Sequence, residues 1–230
     1  MIRRQNMVKS RKWDIPFYLF MCLISLTMVF PFLWMLSTSL KYDTQVFTVP
    51  IEWIPDPVNL SNYAKVWTEE PFLQYYMNTI KVAVFATAGQ VLISAMAAYA
   101  FVAIPFKGSR FLFGLYLATM MVPWHTIMIP QYQIISAMGL TDTHIALIFG
   151  QLASAFGIFL LRQFFLTIPR ELMEAARIDG AGEFRTFWAI VLPQAKPALS
   201  TLIIFTFVQV WNDYTAPLIY LNSREKYTIQ

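Results

Sequence analysis

Long apolar stretches alternate with short polar segments along this chain. Five of the apolar stretches approach or exceed the length that a helix needs to cross the roughly 30 Å hydrocarbon core of a bilayer. They occupy residues 16–36, 80–105, 111–130, 144–166 and 197–220. The pattern predicts an all-α fold, a polytopic transmembrane helical bundle with five visible spans, and a single membrane domain over residues 1–230.

The residue types within two of these stretches refine the prediction. The second stretch is rich in small residues, namely Ala83, Ala86, Gly89, Ser94, Ala97 and Ala98. Small side chains let helix backbones approach closely in lipid, so this helix is expected to pack inside the bundle. In the third stretch, Pro123 and Pro130 are expected to end or kink the helix, which leaves Gln131–Thr143 as an outer loop.

The composition supports a membrane protein. Hydrophobic residues make up 57% of the 230 residues and charged residues only 13%, whereas about 25% of the residues in a soluble domain are charged. No basic stripe is interleaved with aromatic residues, which disfavours nucleic-acid binding. The single cysteine, Cys22, lies in an apolar stretch, so neither a disulfide framework nor a cysteine metal site is expected.

The positions of Lys and Arg predict the orientation. With the N-terminus inside, segments 1–15, 107–110 and 162–196 contain twelve of the seventeen Lys and Arg residues. The positive-inside rule favours this arrangement. The first stretch is too long for a signal peptide and no small-x-small cleavage site follows it, so with its basic prefix it is predicted to be an uncleaved signal-anchor. The orientation places the loop 37–79 on the extracytoplasmic side and the loop 167–196 in the cytoplasm.

The cytoplasmic loop begins with a predicted short helix. Pro169 suits a first helical turn, and Glu171 and Glu174 lie favourably near the positive end of the helix dipole. Gly180 supplies a stop signal, which predicts a helix of about ten residues. Such a helix is too short to span a membrane and is charged enough to stay in water.

Small and apolar side chains in the same loop predict contact surfaces. Ala175 and Ala176 lie on adjacent faces of the first helix and would let another surface come close. After the glycine turn, four apolar residues recur at the i, i+3, i+4, i+7 spacing of one helix face. They are Phe184, Phe187, Trp188 and Val191. This stripe is expected to lie along the membrane interface or against the bundle. We expect Pro193 to end the second helix and Pro197 to open the next span. These features fit either a partner surface or an ordinary anchoring loop.

The loop also contains a motif with many fixed spacings: E-A-A, two residues, D-G-A, and a downstream I-x-L-P. The motif residues are Glu174, Ala175, Ala176, Asp179, Gly180, Ala181, Ile190, Leu192, Pro193 and Pro197. In this order and register they closely resemble the EAA loop of ABC-importer permeases. The segments "MIPQYQIISAMGLTDTHIALI" and "VWNDYTAPLIYLN" are similar to the carbohydrate-uptake, maltose-type class of these permeases.

This resemblance implies a permease subunit of a binding-protein-dependent ABC importer for a carbohydrate. In that family the EAA loop forms a coupling helix that docks on a cytoplasmic ATPase. By carry-over, the ATPase-coupling residues are Glu174, Ala175, Ala176, Asp179, Gly180, Ala181, Leu192 and Pro193. Asp179 is expected to cap or brace the turn, and Leu192–Pro193 to fix the angle at which the chain re-enters the membrane.

The resemblance also implies partners and a location. The partners are a sister permease in a heterodimer, two cytoplasmic ATPase subunits and an extracytoplasmic solute-binding protein, assembled in the bacterial inner membrane. The sequence has no G-x-x-x-x-G-K-[ST] loop, so ATP and Mg are expected on the partner ATPase, with no cofactor and no enzymatic activity on this chain. Permeases of this class have a sixth span, which we expect to follow "NSREKYTIQ" in a longer chain.

Aromatic and polar side chains near the predicted outer ends of spans are candidates for the substrate path. These residues are Trp124, Tyr132, Gln133, Trp211, Asn212 and Asp213. Rings stack on the apolar faces of sugars and amides bond hydroxyls, although Trp and Tyr are also ordinary residues of the membrane interface. Asp213 is an ionisable residue at membrane depth, so it is a proton site, a sugar ligand or a packing and headgroup-level residue.

Two other functional classes are alternatives to the importer. A proton-coupled secondary transporter could use Asp213 without ATP, but it would leave the charged loop unexplained. A membrane-embedded enzyme would need a clustered nucleophile, base or metal site, and the sequence shows none. His125 and His144 have no carboxylate or second histidine at ligand spacing, so no metal site is expected.

Overall fold

The computed structural model describes residues 14–230, and all regular secondary structure within this range is helical. The contacts between Cα atoms divide the chain into two compact units, which meet in sequence between Glu70 and Pro71. The basic residues of the predicted signal-anchor lie outside the described range; they are Arg3, Arg4, Lys9, Arg11 and Lys12.

The first unit consists of α1 (Asp14–Ser39), a 3-10 turn (Asp43–Gln45) and α2 (Ser61–Thr68). The most apolar part of α1 has no buried residues, and an apolar helix with no polar face is typical of a membrane span. The segment that follows α1 is held by side-chain hydrogen bonds. Ser37 Oγ donates to the Trp53 carbonyl at 2.6 Å, and Asn62 Nδ2 donates to the carbonyls of Ser39 and Lys41 at 3.0 and 2.9 Å.

The second unit is a bundle of nine helices among the described residues. They are α3 (Phe72–Ala103), α4 (Ser109–Ala118), α5 (Trp124–Ala137), α6 (His144–Gln151), α7 (Ala155–Phe165), α8 (Arg170–Ile178), α9 (Glu183–Gln194, π-helical over Phe187–Val191), α10 (Lys196–Trp211) and α11 (Thr215–Tyr220). Two 3-10 turns, Thr119–Met121 and Arg224–Lys226, complete the unit. The long α3 lies at its centre and packs against α6, α7 and α10.

Small residues give α3 its close contacts, as the sequence predicted. Its buried face includes Ala83, Ala86, Ala95 and Ala98, each no more than 1% exposed. On the neighbouring α7, a Cβ atom added to Gly157 would lie 2.6 Å from Ser94 Oγ of α3. The two backbones therefore approach more closely than any larger residue would permit, which is how helices pack in lipid.

The helices that could cross a membrane include two long ones and three bent pairs. By length and composition, α1 and α3 could each span alone. The first bent pair is α4, with its 3-10 turn, and α5, which bend by 102°. The second pair is α6 and α7, with a bend of 44°, and the third is α9 and α10, with a bend of 82°. If each pair is one span, the described residues form up to five spans, which agrees with the number predicted from the sequence.

The prediction of an outer loop over Gln131–Thr143 is wrong for its first half. Helix α5 begins after Pro123 and continues through Pro130 to Ala137. Proline removes one backbone donor but does not always end a helix when the flanking hydrogen bonds remain. The stop lies further on, where Gly139 adopts the left-handed backbone conformation with φ = +69°, a common helix ending.

Two further predicted boundaries differ from the structure. The predicted loop 37–79 contains α2 and the first two turns of α3. Helix α3 begins at Phe72, before the predicted start of the second span at residue 80, and the charged but exposed Lys81 does not interrupt it. The stretch 144–166 is two helices rather than one. Ser154 Oγ accepts a hydrogen bond from the Gly157 backbone N–H at 3.0 Å, so it caps the start of α7 and separates it from α6.

One aspartate ties the last described segment to the bundle. The Asp142 carboxylate accepts hydrogen bonds from the backbone N–H groups of Asn222 and Ser223, each at 2.9 Å, and lies 2.9 Å from Lys226 Nζ. The hydrogen bonds from Ser223 and Asn222, followed by the one from Lys226, lower the pKa of Asp142. Residues 222–226 are therefore fixed to the end of the α5–α6 connection, just before α6.

Candidate functional site

The charged loop forms the predicted short helix and glycine turn. Helix α8 has nine residues, with Pro169 at its N-cap position and Asp179 at its C-cap position. Gly180 has φ = +80°, a left-handed conformation that glycine adopts without a steric penalty. The Ala181 backbone N–H donates to the Ala176 carbonyl at 2.9 Å, which closes the end of the helix.

Helix α8 has one face inside the bundle and one face free. Met173 and Ala176 are buried at 4% and 9% exposure. Glu174, Ala175 and the 85% exposed Ile178 face away from the bundle. Of the two alanines with small side chains, only Ala175 is therefore open to another surface, while Ala176 packs within its own chain. A partner would meet the Glu174, Ala175 and Ile178 side of the helix.

A charged cluster that sequence reasoning missed fixes the glycine turn to α3. Arg177 Nε donates to Glu183 Oε1 at 2.7 Å, and Arg177 Nη2 donates to the Ala103 carbonyl at 2.9 Å. Tyr99 donates its hydroxyl hydrogen to Glu183 Oε2 at 2.6 Å. Opposite charges six residues apart across a glycine turn were a signal in the sequence. The contact with Ala103, 74 residues away, was not.

The electrostatics of this Arg177 clamp (Arg177, Glu183, Tyr99 and the Ala103 carbonyl) favour the charged form of both ionic groups. The hydrogen bond from Arg177, with that from Tyr99, lowers the pKa of Glu183. The hydrogen bond with Glu183 in turn raises the pKa of Arg177. The two side chains are 37% and 44% exposed, so solvent screens the pair and its main effect is positional. Asp179, which was expected to brace the turn, makes no side-chain hydrogen bond with the described residues.

Leu192 and Pro193 lie where the chain turns back toward the next span. Pro193 has no backbone N–H and its ring crowds the carbonyl four residues earlier, and the preceding Phe187–Val191 is π-helical. A π-helical turn of this kind shifts the side-chain register of a helix. Phe187 and Val191 are buried at 3% and 1%, whereas the other two residues of the predicted apolar stripe, Phe184 and Trp188, are exposed.

Asp213 has a structural position at the start of α11. Its Oδ1 accepts hydrogen bonds from the backbone N–H groups of Thr215 and Ala216 at 3.1 and 3.2 Å. Its Oδ2 accepts one from Gln151 Nε2 at 3.2 Å. These bonds satisfy the first free backbone N–H groups of α11, whose N-cap position is Tyr214. The packing alternative weighed for Asp213 therefore has direct support in the structure.

The other substrate-path candidates do not converge on one cavity in the described residues. Trp211 stacks on Phe207 at 5.7 Å and meets Tyr76 edge-on at 5.5 Å. With the exposed Asn212, these three rings line an open groove of about 490 Å³.

The candidates on α5 lie elsewhere. Trp124 Nε1 donates to Gln131 Oε1 at 2.9 Å, Tyr132 stacks on Tyr220 at 6.0 Å, and Gln133 is exposed. No group of three or more potential metal ligands occurs within residues 14–230.

One face of α8 points outward, and the other face is bound to a membrane helix. This arrangement suits a subunit that works with a soluble partner. The fold and site thus define a polytopic membrane subunit of a multi-component system. Residues 90–228 match the family of binding-protein-dependent transport system inner membrane components, and the chain belongs to this family.

Relatives of known role agree with this assignment. The chain is 36% identical over 220 residues to the sn-glycerol-3-phosphate transport system permease protein of Yersinia enterocolitica, covering 93% of this chain and 78% of that protein. It is 32% identical to the diacetylchitobiose uptake system permease protein of Streptomyces coelicolor (89% and 68% covered). It is 31% identical to the arabinooligosaccharides transport system permease protein of Bacillus subtilis (94% and 78% covered).

The fold is also that of a solved importer. A bacterial ABC transporter involved in the import of the acidic polysaccharide alginate contains a chain with a TM-score of 0.84 and 27% identity, covering 98% of this chain and 79% of that chain. The resemblance drawn from the EAA loop is therefore confirmed. This chain is an inner-membrane permease of the sugar-importer type, which leaves the secondary-transporter alternative without support.

Proposed function

We propose that this chain carries ATP-driven motion from a cytoplasmic ATPase into the membrane, through the outward face of α8. The observation that supports this most directly is the two-sided docking helix. Glu174, Ala175 and Ile178 are available to a partner, while Arg177 binds the last residue of α3 through the Ala103 carbonyl. A force applied to the outer face would therefore reach a membrane helix directly.

The proposed assembly follows from this role and from the family. Two ATPase subunits bind ATP and Mg, and this chain binds no cofactor and catalyses no reaction. A sister permease completes the translocation path, and a solute-binding protein delivers the cargo from outside. The N-terminus is cytoplasmic in this arrangement, because it places twelve of the seventeen Lys and Arg residues inside.

The proposed cargo is a carbohydrate or a related phosphorylated polyol. The relatives transport sn-glycerol-3-phosphate, diacetylchitobiose and arabinooligosaccharides according to their names, so hydroxyl-rich molecules are the shared chemistry. In this chain the groove beside Trp211 offers stacked rings and the Asn212 amide. Aromatic faces and amides of this kind bind the apolar faces and hydroxyls of sugars.

The test combines co-purification with uptake. The chain is co-expressed with an ATPase subunit, a sister permease and a solute-binding protein, and ATPase retention and ATP-driven sugar uptake are measured for Glu174→Lys and Gly180→Pro. Glu174→Lys reverses the charge on the exposed face of α8, and Gly180→Pro cannot adopt the positive φ of the turn. We expect both variants to lose at least about tenfold of ATPase association, equivalent to about 1.4 kcal/mol.

The control is Glu52→Lys, an equal charge reversal on an exposed residue of the 37–79 loop, which should leave both measurements unchanged. Survival of ATPase association and uptake in both loop variants would show that the coupling assignment is wrong. A proton-dependent flux that needs no ATPase and disappears in Asp213→Asn would instead support secondary transport.

A further inference from the structure

A basic groove of about 860 Å³ lies beside the docking helix. It runs between the α3–α4 connection and the facing ends of α7 and α8. Its charged lining consists of Lys107, Arg110, Arg162, Arg170, Arg177 and a single carboxylate, Glu174. The groove borders the outward face of α8, because Glu174 belongs to both, and it is separate from the aromatic groove beside Trp211.

Most of the positive charge in this groove is uncompensated. Arg177 is neutralised by Glu183 in the Arg177 clamp. The other four cations have no ion-pair partner among the described residues. Arg162 lies with its guanidinium carbon 4.2 Å from the centre of the Phe113 ring. Its Nε is buried and has no hydrogen-bond acceptor in the described part of the chain, which is costly unless a ligand supplies one.

The backbone adds to the positive potential. Arg110 and Arg170 are in the first turns of α4 and α8, where the positive end of the helix dipole disfavours cations and attracts anions. Gly108 and Ser109, at the N-terminal end of the ten-residue α4, also line the groove. The positive-inside rule accounts for basic residues on this side of a membrane, but not for their convergence on one cavity with two helix N-termini.

We propose that this groove binds the phosphate of an anionic phospholipid headgroup. Arginine side chains bind phosphate oxygens with paired, charge-assisted hydrogen bonds, and basic pockets between membrane helices suit anionic headgroups. The rim distinguishes a lipid from a soluble phosphate. Phe106 and Leu166 line the groove at 40% and 44% exposure, and the adjacent Phe111 is 77% exposed. Acyl chains can cover these side chains, and a soluble phosphate cannot. The lipid site goes beyond the proposed transport function and can be tested without transport.

The experiment measures lipid retention by the full chain, purified in mild detergent with the subunits that accompany it. The protein is equilibrated with mixed micelles of equal phosphatidylglycerol and phosphatidylcholine, and native mass spectrometry counts the retained lipids. We expect the wild type to retain phosphatidylglycerol preferentially. The double variant Arg110→Gln, Arg170→Gln should lower that preference at least about tenfold. Arg162 is left unchanged because it also packs on Phe113.

Two comparison proteins make the result specific. Arg185→Gln, Lys196→Gln removes two exposed cations that do not line the groove and should keep the wild-type preference. The double variant Arg110→Lys, Arg170→Lys keeps the positive charge and should retain most of the preference for phosphatidylglycerol. It also controls for misfolding. Equal retention of the two lipids by the wild type, or an unchanged preference in the glutamine variant, overturns the proposal. Displacement of phosphatidylglycerol by millimolar inorganic phosphate or glycerophosphate also overturns it, in favour of a soluble phosphate ligand.

Discussion

At the scale of single residues, Arg177 joins three segments that are distant in sequence. Its guanidinium binds Glu183 across the glycine turn and donates to the carbonyl of Ala103. That carbonyl belongs to the last turn of α3, where backbone acceptors have no partner within the helix. Tyr99 bonds the same glutamate from one turn earlier in α3. A single side chain thus completes the end of a membrane helix and positions the docking loop.

The lowered pKa of Glu183 predicts how this clamp responds to acid. Because the pKa is lower in the folded protein, the stabilisation is fully present above the ordinary glutamate value of about 4.3. It is lost as the pH falls from there through the folded pKa. The protection factors of the amides in residues 177–183, measured by hydrogen exchange in micelles and corrected for the intrinsic pH dependence of exchange, should therefore be high and constant near neutral pH and fall below about 4.3.

Two variants check that Glu183 is the titrating group. Glu183→Gln should exchange faster at neutral pH and show no acid transition in this loop, since Tyr99 can still donate to the amide oxygen but Arg177 loses its ionic partner. Glu171→Gln, on the first turn of α8, should behave as the wild type. An acid transition that persists in Glu183→Gln would assign it to another group.

At the scale of helices, the features that depend on local signals were predictable from the sequence, and those that depend on tertiary contacts were not. Pro169 and Gly180 predicted both ends of α8, because capping chemistry is local. The continuation of α5 through Pro130 depends on the bonds around the proline, and single-sequence reasoning ended the helix too early. The Arg177 contact with Ala103 required the fold itself. The capping bonds that Asp213 accepts from the start of α11 follow from a local signal, since aspartate is common at helix starts.

The glycines of the loop provide a test in which only backbone conformation changes. A Cβ atom added at Gly180 or Gly182 meets no atom within 4 Å. Gly180 has φ = +80° and Gly182 has φ = −68°. Gly180→Ala should cost about 1–2 kcal/mol because an alanine is strained in the left-handed region, which would distort the turn and weaken ATPase association about tenfold. Gly182→Ala, at the N-cap position of α9, should cost only about 0.5 kcal/mol and leave ATPase association close to the wild-type value. Equal behaviour of the two variants in co-purification would contradict a role for the turn geometry.

At the scale of the second unit, α3 connects the docking loop to the opposite end of the bundle. Its 32 residues correspond to a continuous helix of about 48 Å. The Arg177 clamp holds its C-terminal end. Near its N-terminal end, Gln74 and Asn78 donate to the Glu225 carbonyl at 2.8 and 2.9 Å. Because α3 has no break, displacement of the loop would move the far end as well. In the proposed orientation that end faces the solute-binding protein.

A break in α3 should therefore separate ATPase binding from transport. Ala88 lies near the middle of the helix on an exposed face. Ala88→Pro removes one backbone hydrogen bond, kinks the helix and costs about 3 kcal/mol, whereas Ala88→Leu keeps the helix intact. We expect Ala88→Pro to retain the ATPase, because α8 is unchanged, and to lose ATP-driven uptake. Ala88→Leu should retain both. Ala88→Gly, which costs about 1 kcal/mol, should lie between them in uptake and guards against simple misfolding. Normal uptake by a well-folded Ala88→Pro protein would show that α3 does not transmit the motion as one rigid element.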